Sequence, residues 1–536
     1  ARTLSRTSEA LPRLLRWGPK HKRTINNINI SAWAQRRSIS TADYEKIYRE
    51  SLDDPEGFWA KQAENIVWDQ PCDQVLTSDQ APFYQWFKGG KLNICYNAVD
   101  RHVDEGRGDE VALYYDSPVT ETKQQFTFSQ LQDQVAKLAG VLKNQGVEKG
   151  DRVLIYLPMI PESVFAMLAC ARIGAVHSVV FGGFAAHELA IRIDDAKPKV
   201  ILSSSCGIEG QRIVEYKPLL DDAIDQAEHK PASCLIHQRP QHPASLVEGR
   251  DLDWETALTT ASPAACVAVD STDPLYILYT SGTTGAPKGV LRDTGGYAVA
   301  LRWTIENLQG CGPGDVFFAA SDVGWVVGHT FIVYGPLVSG CATVLFEGKP
   351  VGTPDAGVFW RIISEYGVRG LYAAPTALRA IRKEDPNGDL IKDYDISSLK
   401  GLYMAGERAD PATCEFFAEV LGCSVVDNWW QTETGWPVCG LQYDHIGMRS
   451  GSTSLPLPGY DVQVLSDAQE RELEDPPYDI VPVPHETAGN IAIKLPLPPG
   501  TFPTLYNDSE RYVKSYLSAY PGYYQTGDAG VIDKDG

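Results

Sequence analysis

At 536 residues and a net charge of −21, with 43% apolar and 22% charged residues, the chain has ample core-forming material for about three ordinary domains. The acidic balance excludes nucleic-acid or anionic-membrane binding as the main activity. No apolar run reaches membrane-spanning length: the most apolar region, 153–181, is interrupted by Pro158, Pro161, Glu162 and Arg172, so no membrane insertion is expected. The eleven cysteines are scattered singly with no C-x-x-C pair, and the ten histidines form no H-E-x-x-H pattern. There is no G-x-S-x-G elbow for serine hydrolase chemistry.

Residues 1–42 hold nine Lys/Arg residues against one acid, Glu9, and are rich in serine. That composition predicts an organelle transit peptide, and with it a mitochondrial matrix location. Residues 43–102 read as a helical cap, with Tyr44, Ile47 and Tyr48, then Phe58 and Trp59, at helical spacing. The aromatic segment Phe83–Phe87 reads as packing. From residue 111 strand and helix alternate. Phe126–Phe128 precedes a helix capped by Ser129 and stopped at Gly146. Strands are expected at Val153–Leu157, Val176–Phe181 and Lys199–Ser203, and helices at Glu162–Gly174 and Ala186–Ala196. Similar units recur at 357–376 and 397–426. This order predicts an α/β fold with largely parallel sheets, in two αβ sheet subdomains. The Pro-, His- and Ala-rich segment 228–265 reads as a surface excursion. Gly310–Asp315 lacks a preceding strand and a correctly spaced third glycine, so it reads as a turn. From about residue 455 dense prolines predict a β-rich subdomain of short strands.

The most informative stretch is 280–289, which follows the apolar strand Leu275–Tyr279. It reads Thr280-Ser281-Gly282-Thr283-Thr284-Gly285-Ala286-Pro287-Lys288-Gly289. Standing alone, a polar linker has the same composition. Backbone N–H groups, hydroxyls and Lys288 can equally cradle a polyanion. It is not a Walker A loop, because Lys288 lies between Pro287 and Gly289. Three further polar stretches fall at expected strand ends: Gly406-Glu407-Arg408 after Gly401–Ala405, Asp427-Asn428-Trp429-Trp430-Gln431-Thr432-Glu433-Thr434-Gly435 after Ser424–Val426, and Gln525-Thr526-Gly527-Asp528 after an aromatic strand. In open α/β sheets such tips converge on one crevice.

Together these stretches resemble the adenylate-forming enzymes, specifically the acetyl- and propionyl-CoA synthetase group. Val180–Phe184, Tyr506-Asn507-Asp508 and Glu510-Arg511-Tyr512 are similar to that group as well. The resemblance spans 44–536 and implies that residues 103–536 form the AMP-binding domain. It implies an acid–thiol ligase: a short-chain carboxylate and ATP give an acyl-adenylate and pyrophosphate, and coenzyme A then takes the acyl group. It further implies that Thr280–Lys288 grips the β- and γ-phosphates and that Gly406, Glu407 and Arg408 lie along the adenine. Asp427, Asn428, Trp429, Trp430, Gln431 and Thr432 would frame adenine and α-phosphate, Asp528 would bind the ribose, and Glu433 would hold Mg²⁺. Glu209-Gly210-Gln211-Arg212 matches the coenzyme A phosphate contact, where acetyl-CoA synthetases usually offer two arginines and this chain has Glu209 first.

The acyl pocket implied by the resemblance consists of Val326, Val327, Ala405 and Trp430, with Trp430 closing off long chains. Acetate-specific members carry valine at the Ala405 position and threonine at the Val327 position. The larger and less polar pocket here predicts propionate, with acetate and butyrate as lesser substrates, since a methylene contributes about 1–3 kcal/mol. Family members continue into a small mobile domain that supplies a lysine for adenylation. The sequence stops at Gly536, so no catalytic residue is assignable and slow turnover is expected of residues 1–536 alone. The competing expectation is a non-catalytic nucleotide-binding or interaction protein.

Overall fold

In the computed structural model, the described residues are 41–280, 287–440, 449–466, 481–534 and 536. The basic segment 1–40 lies outside them. Two seven-stranded sheets carry the fold. The first runs Asp251–Asp253, Ser233–His237, Val200–Ser204, Arg152–Tyr156, Val176–Val179, Pro274–Thr280, Lys288–Asp293 in spatial order. The second runs Ser424–Asp427, Gly401–Met404, Val368–Ala373, Val316–Ala320, Ala342–Phe346, Val111–Ser117, Thr122–Thr127. Every neighbouring pair is parallel except the last in each sheet. Strands such as Arg152–Tyr156 are continuous apolar runs, as expected for strands covered on both faces. The helix Thr294–Asn307 is buried around almost its whole circumference, which marks it as an interior helix.

The predicted parallel α/β architecture therefore holds. The helix Ala186–Ala196 has the predicted bounds, and Pro161–Ile173 ends at Gly174 in the left-handed region (φ 73°), which glycine adopts without a Cβ clash. Several expectations require correction. The helix Phe128–Asn144 is capped by Thr127, not Ser129. The Thr127 hydroxyl accepts from Gln130 N while the Gln130 side chain accepts from Thr127 N, a reciprocal capping box two residues earlier than predicted. The segment 228–265 is no excursion: Ser233–His237 is a buried strand of the first sheet, and Trp254–Thr260 is a helix. Its apolar core Cys234-Leu235-Ile236 is short, and the flanking prolines and histidines concealed it. Gln525–Asp528 lies inside the strand Tyr523–Gly530 rather than after it.

The late region forms a three-stranded antiparallel sheet, Val462–Leu465, Gly489–Lys494, Tyr523–Gly530, with a helix at Ser509–Tyr516. The helices Thr41–Asp53 and Pro55–Ala63 fasten onto this late region. Tyr44 Oη donates to Pro456 O (3.0 Å), Tyr48 Oη to Tyr460 O (2.8 Å) and Trp86 Nε1 to Leu497 O (3.0 Å). Four tryptophans lock the junction: Trp59 packs edge-on against Trp86, Trp303 and Trp436 at centroid distances of 6.4, 6.5 and 6.0 Å. Trp436 immediately follows the Asp427–Gly435 stretch, so this aromatic packing anchors one end of the candidate site.

Candidate functional site

The strands Pro274–Thr280 and Lys288–Asp293 pair with Thr280 opposite Lys288. The two flanks of the Ser/Thr/Gly stretch thus meet at the mouth of a hairpin. Ser281, Gly282, Thr283, Thr284 and Gly285 lie outside the described residues. Lys288 Nζ sits 4.5 Å from the centroid of the Tyr516 ring. Tyr516 Oη donates to Glu433 Oε1 at 2.7 Å, so the helix Ser509–Tyr516 joins Lys288 to Glu433. Burial holds the Lys288 ammonium below its usual pKa, an effect that Glu433 partly offsets.

Asp427 ends its strand in register with Met404, which brings the 405–408 and 427–433 tips side by side. Asn428 N donates to Met404 O at 2.7 Å. Asp528 Oδ2 accepts from Trp429 Nε1 (3.0 Å) and from Gln431 Nε2 (2.7 Å). Gln431 Nε2 also donates to Thr526 O at 2.8 Å, and Tyr524 Oη donates to Gln431 Oε1 at 2.7 Å. Gln431 thereby splices the second sheet's tip to the late antiparallel sheet. Among the described residues, Asp427 Oδ2 and Asn428 Oδ1 are buried with no hydrogen-bond partner. Two orphaned acceptors cost free energy unless a ligand supplies donors. Burial pushes the Asp427 carboxyl up to about 7, against the opposing pull of the Ala409 N–H and of Arg408. Gly406 follows the Gly401–Met404 strand at φ 100°, Glu407 pairs with Arg379 (2.8 Å), and Arg408 is exposed. Thr432 is half-buried.

Arg292 belongs to this site and sequence reasoning missed it. It is wholly buried in the strand Lys288–Asp293. Its guanidinium donates to Glu433 O (3.0 Å), Gly500 O (2.7 Å), Thr432 O and the Tyr276 hydroxyl (3.1 Å). One cation thus fastens the hairpin of Pro274–Thr280 and Lys288–Asp293 to the Thr432–Glu433 turn.

Val326 and Val327 open the helical segment that continues through Gly328–Tyr334. Val326 and Ala405 are buried in one apolar cluster with Phe331 and Tyr372, and Val327 and Trp430 pack against it. Trp430 meets Phe331 edge-on at 5.6 Å and donates its Nε1 to Tyr372 Oη at 2.9 Å.

Glu209, Gly210, Gln211 and Arg212 form the tip of a separate hairpin, Cys206–Glu209 against Arg212–Glu215. Gly210 has φ 61°, and Arg212 pairs with Glu209 across the tip at 2.8 Å. The tip borders a cleft of about 370 Å³ lined by Gly182, Gly183, Glu209, Gly210, Asp322 and Lys349. A Cβ at Gly182 would lie 1.8 Å from Tyr216 Oη, so only glycine fits there. Below it Arg239 and Glu347 form a buried bidentate pair (2.7 and 2.9 Å), with Tyr115 and Ser117 also donating to Glu347. Burial raises the pKa of Asp322 to about 6.

Known proteins share this architecture. Residues 99–498 match the AMP-binding enzyme family, and 44–98 match the acetyl-coenzyme A synthetase N-terminus. The chain is 50% identical over 511 residues to acyl-CoA synthetase short-chain family member 3, mitochondrial, of Rattus norvegicus, covering 93% of this chain and 72% of that protein. It is 46% identical over 500 residues to a propionate–CoA ligase of Salmonella typhimurium, covering 92% and 77%. The solved acetoacetyl-CoA synthetase of Streptomyces lividans superposes with a TM-score of 0.83 at 26% identity, covering 92% of this chain and 74% of the other. With strand tips, hairpin and late sheet joined at Asp427, Gln431 and Asp528, and with these matches along nearly the whole described length, the chain belongs to the AMP-binding, adenylate-forming enzymes, in their short-chain acyl-CoA synthetase group.

Proposed function

We propose that the protein ligates a short-chain carboxylate, preferentially propionate, to coenzyme A through an acyl-adenylate. The observation that carries this reading is the one stretch Asp427–Glu433, whose Gln431 meets Asp528 and whose Glu433 is joined through Tyr516 to Lys288 at the hairpin mouth. The carboxylate oxygen attacks the α-phosphorus of ATP and pyrophosphate leaves. The coenzyme A thiol then attacks the acyl carbonyl and AMP leaves. Both steps rest on positioning and charge neutralisation. Asn428 Oδ1 and Asp427 accept hydrogen bonds from the adenine amino group, Asp528 accepts from the ribose hydroxyls, Lys288 neutralises charge on the β- and γ-phosphates, and the hydroxyls of Thr280, Ser281, Thr283 and Thr284 donate to them. Glu433 offers a hard carboxylate oxygen of the kind Mg²⁺ prefers, and phosphate oxygens and water would complete its shell. When bound, such an ion would supply positive charge beside the phosphates. Arg212 meets the coenzyme A phosphates at the edge of the cleft.

Propionate follows from the pocket. On this reading Trp430 blocks long chains, and alanine at 405 with valine at 327 favours one methylene beyond acetate; Ala405 is buried in the apolar cluster against which Val327 and Trp430 pack. Relatives named as mitochondrial, and the basic, serine-rich residues 1–42, support a matrix location for this protein too. The test is propionate-dependent exchange of labelled pyrophosphate into ATP, run with and without coenzyme A. Exchange without coenzyme A, with thioester formed on adding it, supports the reading. Absence of exchange in the intact protein overturns it. Ala405→Val is expected to move the kcat/KM ratio of propionate over acetate toward acetate by about ten-fold. An unmoved ratio refutes the pocket assignment.

A further inference from the structure

Trp430 is only half-buried and sits on a turn rather than on a helix or strand, so something must fix its ring if it is to measure chain length. Its one side-chain hydrogen bond among the described residues runs from Nε1 to Tyr372 Oη at 2.9 Å. Tyr372 lies on the buried strand Val368–Ala373 and is itself clamped. Phe331 stacks on it at 4.6 Å and 23°, and Tyr403, on the adjacent strand, stacks at 6.3 Å and 18°. Phe331 also meets the Trp430 ring edge-on, completing a triangle of indole, phenol and phenyl rings. Phe331 belongs to the helical segment that begins with Val326 and Val327, so the same triangle touches two walls of the acyl pocket.

We propose that Tyr372 is the positioning residue for chain-length selection: its phenolic oxygen holds the Trp430 indole across the acyl tunnel. The inference rests on the reading of Trp430 as the tunnel wall. Tyr372 does not touch the acid itself. It acts by removing the rotational freedom of the ring that does. The rigid strand supplies the precision that a turn lacks. Losing the bond leaves the rings packed but lets the indole swing, so discrimination weakens while the pocket remains.

The experiment measures kcat/KM for propionate, butyrate and valerate in the intact protein with Tyr372→Phe, Trp430→Phe, the double variant, and Trp430→Gly. Trp430→Gly is expected to admit valerate strongly, and its failure to change the chain-length profile overturns the tunnel reading and this inference with it. Given that gain, Tyr372→Phe is expected to raise the valerate-to-propionate ratio about five-fold, the worth of one hydrogen bond. Trp430→Phe removes the N–H from the other side and also shrinks the wall, so its shift should be at least as large. The double variant should be no further shifted than Trp430→Phe alone, because Tyr372 then has no indole N–H left to hold. If Tyr372→Phe lowers all three acids in equal proportion, Tyr372 is merely structural and the proposal falls. It falls as well if the two single shifts add. Should Tyr372→Phe not fold, Trp430→Phe alone decides: an unchanged valerate-to-propionate ratio overturns the proposal.

Discussion

Around Asp528 each polar side chain is held by another. Trp429 and Gln431 converge on its carboxylate, Tyr524 holds Gln431, and Arg292 ties the following turn to the hairpin. At the tip of Cys206–Glu215 the arrangement is the opposite. Arg212 and Glu209 pair with each other across two residues, with side chains 72% and 43% exposed. The proposed nucleotide end is preorganised, so its ordering cost falls on folding rather than on ligand binding. The hairpin tip, proposed above to meet coenzyme A, keeps its formally neutral Arg212–Glu209 pair in water, where salt weakens it and where it fixes little.

This contrast can be broken most forcefully at Arg292. Arg292→Met removes donors from three backbone carbonyls around a fully buried side chain and is expected to cost about 3 kcal/mol or more, read by chemical denaturation. A cost below 1 kcal/mol would mean the nucleotide end is not braced as described. A smaller effect is expected at Asp427. Its native carboxyl keeps a proton up to about pH 7, whereas an unfolded aspartate releases it near 3.9. Between those values unfolding releases a proton, so stability falls as pH rises from about 4 to about 7. Asp427→Asn abolishes this contribution, so its stability relative to the parent should improve by about 1 kcal/mol or more from pH 5 to pH 8. A difference that stays flat with pH would show that Asp427 ionises normally. Asp293, also pushed up to about 7 by burial, retains its own dependence in both proteins. The smallest stability effect belongs to Arg212→Ala, within about 0.5 kcal/mol, as for exposed ion pairs generally. The same variant should raise KM for coenzyme A, with the difference shrinking as salt is added. A stability loss above 1 kcal/mol there would erase the contrast between the two ends.

Much of the frame was legible because it rests on local signals. Apolar runs bounded by Gly and Pro marked the strand Pro274–Thr280 and the helices Pro161–Ile173 and Ala186–Ala196. The polar tips at 406–408 and 427–433 could be placed because parallel sheets put their strand ends on one edge. Arg292 carried no such mark. In sequence it is one charge in an apolar strand, and its carbonyl partners stand 140 to 208 residues away. Backbone carbonyls have no sequence identity, so no motif could announce them. Tyr372 was hidden for the same reason: its value lies in Trp430, 58 residues on. The buried strand Ser233–His237 was hidden by composition, since three apolar residues between prolines and histidines look like loop.

The first helices clasp residues synthesised very much later. Tyr44 and Tyr48 each bond a carbonyl 412 residues downstream. At about 5–20 residues per second, a ribosome needs roughly 20–80 s to deliver that partner. For that interval Tyr44, Phe58 and Trp59 have no late region to bury against, and their apolar faces are open to chaperones. The tryptophan junction is therefore closed in stages: Trp59 and Trp86 wait for Trp303 and then Trp436.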